Sequence, residues 1–153
     1  MRTVTLELPL HIYIGKKNPK KVALSKNIFV GINWHKYNMI KKTYIQRCIF
    51  PKLYRYRKTP FGYNKYVKDV MSFHYEPIKK YKIYYKFYLK SKRIKDPSNF
   101  WSKISEFLLD ALVDYKFIID DNMNCDMGHF MKETIIDKSI DFDYVCVCIE
   151  EVE

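Results

Sequence analysis

The front half of this 153-residue chain has almost no acid. Residues 1–95 hold only Glu7, Asp69 and Glu76 against 24 lysines and arginines, a net of +21, while residues 96–153 carry 14 acidic side chains against 4 lysines. No apolar run approaches the ~20 residues that a membrane-spanning helix needs. The first residues lack the basic, apolar and small-residue succession of a secretory signal, so the expected setting is the cytoplasm. Cysteine is sparse, with Cys48, Cys125, Cys146 and Cys148, and without a secretory signal these are expected as free thiols. Cys125-x-x-x-His129 followed by Cys146-x-Cys148 makes a poor zinc pattern, because Cys146 and Cys148 suit alternate positions on one face of a strand. There is no internal repeat, no low-complexity tail and no obvious domain boundary. One domain over residues 1–153 is the expectation.

What is abundant is positive charge and tyrosine. The net charge is +11 and there are 14 tyrosines. A basic half interleaved with aromatic rings suits a polyanion, with lysines meeting phosphates and rings stacking on bases. No cationic helix with a greasy face stands out, so nucleic acid is preferred to a membrane surface as partner. The candidate DNA contacts are Lys16, Lys17, Lys20 and Lys21 in a Gly- and Pro-containing loop over Tyr13–Lys21, and Arg55, Arg57 and Lys58 in a Pro-bounded loop. Lys82 and Lys86 on a strand face, and Lys92, Arg93, Lys95 and Lys103 around a helix start, complete the set.

Patterning gives the elements. Val4, Leu6, Leu8 and Leu10 alternate with polar residues as a first strand ending near Pro9. A helix is expected from about Asn33 to Cys48. Residues 77–90 form the clearest strand, with Tyr81, Ile83, Tyr85, Phe87 and Leu89 towards the core and a Lys/Tyr ladder on the other face. Asp96-Pro-Ser-Asn99 opens a second helix that runs to Tyr115. Asn99, Lys103, Glu106 and Asp110 fall on a narrow polar arc of it. Leu109 and Val113 interrupt that arc, which predicts either a further element packed there or a dimer face. Phe117-Ile-Ile119 reads as a short strand ending in Asp120-Asp121. Residues 122–143 read as loop with a short strand near 131–136, and Tyr144–Glu151 is a last strand. The expected fold is α+β, a small mixed β-sheet packed with two main helices in β-α-β-α-β order. Carboxylates held close together commonly share Mg²⁺. Asp96, Asp121 and one of Glu106 or Asp110 are the candidate ligands.

Three segments in this order resemble the RusA family of Holliday-junction resolvases, in the form carried by phages and prophages. They are Leu24-Ser-Lys-Asn with the downstream Trp34-His35, the helix opening Asp96-Pro-Ser-Asn99, and Leu109-Asp-Ala-Leu112 followed by Ile118-Ile-Asp-Asp121. The resemblance covers most of the chain, with residues 52–74 divergent or extra. It implies a RusA-like homodimeric nuclease in the host cytoplasm that cuts branched DNA junctions using Mg²⁺ or Mn²⁺. Asp96 and Asp121 match the family's catalytic aspartates, and Asp110 and Asp120 match other acidic positions. The chain departs from the pattern at Ser98, where the family usually has Asp, and at Glu106, where many members have Lys. Glu106 is placed to complete the catalytic set. Two other readings share the composition: a catalytically inactive junction-binding protein, and an RNA-binding protein.

Overall fold

Alternation along the chain builds the sheet. Thr3–Pro9 (β1) buries Val4, Leu6 and Leu8, and Tyr144–Glu151 (β8) buries Val145, Val147 and Ile149. Tyr81–Leu89 (β6) buries all five residues of its apolar face, as expected. In the computed structural model, residues 2–58, 64–68, 76–91 and 97–153 are described, with backbone alone at 54–58 and 64–68. With Asp126–Ile136 (β7), these strands form one mixed sheet in the order β1-β8-β6-β7. β8 pairs antiparallel with both β1 and β6, while β6 and β7 run parallel. The fold is therefore α+β with a mixed sheet and two main helices, Trp34–Tyr44 (α1) and Pro97–Asp114 (α3).

Four stretches differ from the sequence reading. The Tyr13–Lys21 loop is instead a hairpin, with His11–Ile14 (β2) paired to Lys20–Ala23 (β3). Its turn needs Gly15, whose φ is +121° and where a Cβ would lie 3.1 Å from the carbonyl oxygen of Asn18. Such backbone is open to glycine and strained for other residues. The basic segment after Phe50 is a helical turn, Phe50–Leu53 (α2), leading into Tyr54–Lys58 (β4), which pairs with Asn64–Lys68 (β5). Residues 117–119 form no strand, only an isolated bridge from Ile78 to Ile118. β7 is longer than the short strand expected near 131–136 and makes a β6–α3–β7 unit with parallel strands.

α3 starts at Pro97, where the absent N–H costs nothing. It ends in a reciprocal C-terminal cap. The Phe117 N–H donates to Leu112 O at 2.8 Å and the Lys116 N–H to Val113 O at 3.0 Å. Lys116 occupies the left-handed position at φ 60°, which glycine fills at no steric cost. Lys116→Gly should therefore raise stability by about 1 kcal/mol, read as a higher midpoint in urea unfolding. No gain would show that the turn tolerates a side chain there.

Leu109 is buried in this chain's own core and Val113 packs against that core. Leu109 is thus covered within the chain, while Val113 is half-buried and also lines a surface cleft. Among the described residues, no helix is long and apolar enough to cross a membrane.

Candidate nucleic-acid interface

The acidic positions separate into two environments. Glu106 and Asp110 lie one turn apart on α3, and they face Tyr37 and Lys41, one turn apart on α1. The Tyr37 hydroxyl donates to Glu106 Oε1, and the Lys41 ammonium pairs with Asp110 Oδ2. Lys103 Nζ reaches Glu106 Oε2 at 3.0 Å and sits over the rings of Phe29 and Tyr37, 5.2 and 5.3 Å from their centroids. Burial opposes ionisation of Glu106, but the Tyr37 and Lys103 donors outweigh it and hold its pKa below the usual value. These acids therefore act as a clasp between the helices. Burial, together with Glu106, pushes the Tyr37 hydroxyl well above its ordinary range, so it remains a donor.

Asp120 and Asp121 lie at the turn before β7. Asp120 accepts the Asp121 N–H at 2.8 Å and the Asn122 amide at 2.7 Å, and these donors lower its pKa. Asp121 is solvent-facing, yet it shares a cleft of about 280 Å³ with Lys41, Asp110, Val113 and Asp114. Partial burial and the neighbouring Asp120 and Asp110 carboxylates raise its pKa. The structure thus brings Asp110 and Asp121 to one cleft, where Lys41 is paired with Asp110. Asp96 lies outside the described residues. Pro97, which opens α3, is separated from Asp110 by about 20 Å of helix axis.

The described carboxylates do not by themselves gather around one centre, and Asp96, the first of the expected ligands, lies outside the described residues. Among the described residues, no group of three or more His, Cys, Asp and Glu side chains could hold one. Asp110 is already met by Lys41 and Glu106 by Lys103 and Tyr37, and a Mg²⁺ site needs carboxylate oxygens free to point at one centre. Cys146 and Cys148 share the outer sheet face, as their spacing predicted, and are free thiols.

The basic positions also divide. Lys16, Lys17, Lys20 and Lys21 are all exposed on the β2–β3 hairpin, and none forms an ion pair among the described residues. The ladder on β6 is more nearly neutral. Lys86 is bound to Glu133 at 3.0 Å, which raises its pKa. Lys82 stands opposite Glu150 on β8. The tyrosines of that face are likewise engaged, Tyr84 stacked on Phe130 and Tyr88 on Tyr144, with centroids 5.4 and 4.7 Å apart. The Arg55, Arg57 and Lys58 side chains, and residues Lys92, Arg93 and Lys95, lie outside the described residues.

Sequence reasoning missed two constellations. Lys41 and Tyr37 were legible only as an i, i+4 pair matching Glu106 and Asp110 at the same spacing. The second is a part-buried chain of polar groups on β6 and β7. The Tyr85 hydroxyl meets His129 Nδ1 at 2.7 Å, and His129 Nε2 meets Asp126 Oδ2 at 2.5 Å. Trp101 of α3 stands edge-on to both Tyr85 and His129. Burial holds the Tyr85 hydroxyl well above its ordinary pKa, so at the core end of this chain the tyrosine stays protonated, while His129 and Asp126 lie nearer the surface.

Comparison with protein-family models and with curated proteins gives no match for the chain.

Proposed function

We propose that the protein binds DNA through its basic hairpin, as a junction- or branch-binding protein of the RusA type whose clasped carboxylates hold the fold together. One observation carries this reading. Four lysines stand exposed on a single rigid hairpin with no ion pair among the described residues, whereas the strand-face lysines have acidic neighbours. Unpaired cations presented together are what a phosphate backbone recognises. Binding should weaken steeply with salt, each neutralised phosphate contributing about −0.9 to the slope of log K against log salt on duplex DNA. A flat salt response would remove the proposal.

A second reading, metal-dependent cutting of four-way junctions by a homodimer, is favoured by the cleft that Asp110 shares with Asp121 and by the order of motifs. The test is incubation of a synthetic four-way junction and a matched linear duplex with Mg²⁺ or Mn²⁺, with Asp121→Asn alongside. The expected result is junction binding without cutting, equal in both proteins, because Lys41 already occupies Asp110. Paired nicks that vanish in Asp121→Asn would establish the nuclease instead, and would also call for a dimer on a two-fold substrate.

A further inference from the structure

Two clefts of about 500 Å³ each open side by side where the sheet rim meets the β2–β3 hairpin. They meet at His11, Tyr13, Asp141 and Phe142, which line both. Beyond this junction the first cleft is lined by Arg47 and Lys52, and the second by Lys21, Lys90 and Lys138. The Tyr13 and Phe142 side chains are 53% and 49% exposed. Each is braced from one side: Tyr13 edge-on against His11 at 5.7 Å, and Phe142 against Tyr144 at 6.2 Å. Arg47 is fixed by donating from Nη1 to the Tyr13 carbonyl at 2.7 Å, and Lys21 lies directly across the hairpin from Tyr13. The order along the groove is cation, ring, cation.

That order matches the repeat of an unpaired strand, in which a base is flanked by phosphates. Volumes of this size are typical of small-ligand sites. Aromatic rings set between cations are the usual means of holding single strands. Three carboxylates bear on the groove. Asp143 is buried and accepts the Lys90 N–H at 2.7 Å, and Glu7 lies at the Arg47 end. Asp141 stands exposed beside the two rings, without a hydrogen-bond or ion-pair partner among the described residues. An ionised carboxylate only accepts. It therefore favours a base that offers an amino group, as cytosine does through N4 and adenine through N6, over thymine, which presents a carbonyl oxygen.

We propose that this double cleft binds a single-stranded stretch of DNA, with an amino-bearing base such as cytosine against Tyr13 and Phe142, Asp141 on its amino group, and the flanking phosphates on Arg47 and Lys52 at one end and Lys21 and Lys138 at the other. The inference rests on the DNA-binding reading above and adds the strandedness and base preference. The experiment is anisotropy titration of labelled short oligo(dC), oligo(dT), oligo(rC) and a blunt duplex. It compares the full chain with the double variant Tyr13→Ala/Phe142→Ala and with Asp141→Asn. All three side chains are exposed, and circular dichroism checks that each variant is folded. Oligo(dC) should bind more tightly than oligo(dT). The double variant should lose roughly tenfold or more for oligo(dC) while duplex binding is retained. Asp141→Asn should narrow the gap between dC and dT. Unchanged oligo(dC) affinity in the double variant, with duplex binding intact, overturns the cleft and leaves the hairpin reading standing. No binding of the full chain to any nucleic acid removes both. Tighter binding of oligo(rC) than oligo(dC) overturns the assignment to DNA.

Discussion

Replacing Lys16, Lys17, Lys20 and Lys21 together by alanine should weaken binding to a four-way junction by about 100- to 1000-fold at physiological salt. The same variant should flatten the salt dependence by up to about 3.6 in slope, if each lysine meets one phosphate. The effect is electrostatic. Among the described residues the four ammonium groups have no carboxylate to leave when DNA arrives, so their attraction is available to phosphate, and each contact releases a condensed counterion. Lys86, already bound to Glu133 at 3.0 Å, would have to break that pair first, so Lys86→Ala should move affinity far less. Since all four hairpin lysines are exposed, thermal unfolding should be nearly unchanged, as is usual for surface substitutions. Anisotropy over a salt series checks both parts. Full affinity with an unchanged slope would mean that DNA is held elsewhere.

Phe107→Ala should cost about 3–5 kcal/mol of stability, the range for removing a large buried ring. For a chain of this size that is a fall of roughly 10 °C or more in Tm. Phe107 is fully buried, and three rings surround it, from Phe29, Tyr37 and Tyr44, with centroids at 5.9, 5.8 and 6.1 Å. From α3 it reaches both α1, through Tyr37 and Tyr44, and the short helical turn at Lys26–Phe29, through Phe29. Its loss opens a cavity and also frees Tyr37, whose hydroxyl holds Glu106. Urea unfolding of Phe107→Ala beside Phe107→Leu checks this. A loss below about 1.5 kcal/mol for the alanine variant would show that the helices collapse onto the gap.

The strands and helices of the sheet were legible because burial is enforced there. Along β6 every second residue from Tyr81 to Leu89 is apolar and is buried, so a period of two could be read directly. Asn33 announced α1, accepting the Lys36 N–H at 2.9 Å, and Pro97 announced α3. The hairpin at His11–Ala23 was hidden because its strands have four residues each and the second opens with two lysines, so turn-forming Gly15 and Pro19 dominated the pattern. β7 was hidden for a related reason. It is an edge strand with little of its length fully buried, and its pairing with β6 is interrupted by register shifts, so no clean alternation is written into Asp126–Ile136. The acidic arc on α3 was read correctly as an arc. What it faced depended on α1, and nothing in the local sequence of α3 reveals that Lys41 and Tyr37 arrive opposite it.

The position of β8 has a consequence for how the chain matures during synthesis. The last strand lies between β1 and β6, and its residues bond to both, from Thr3↔Glu150 on one side to Tyr81↔Glu151 on the other. A ribosome delivers residues in order, so β1 and β6 emerge with no neighbour between them. The sheet cannot close until Tyr144–Glu151 has cleared the exit tunnel. Throughout that interval two apolar strands present unpaired edges, the kind of surface that recruits other chains. The lysines alternating along β6, largely neutralised in the finished sheet, then serve as charges that keep nascent copies apart.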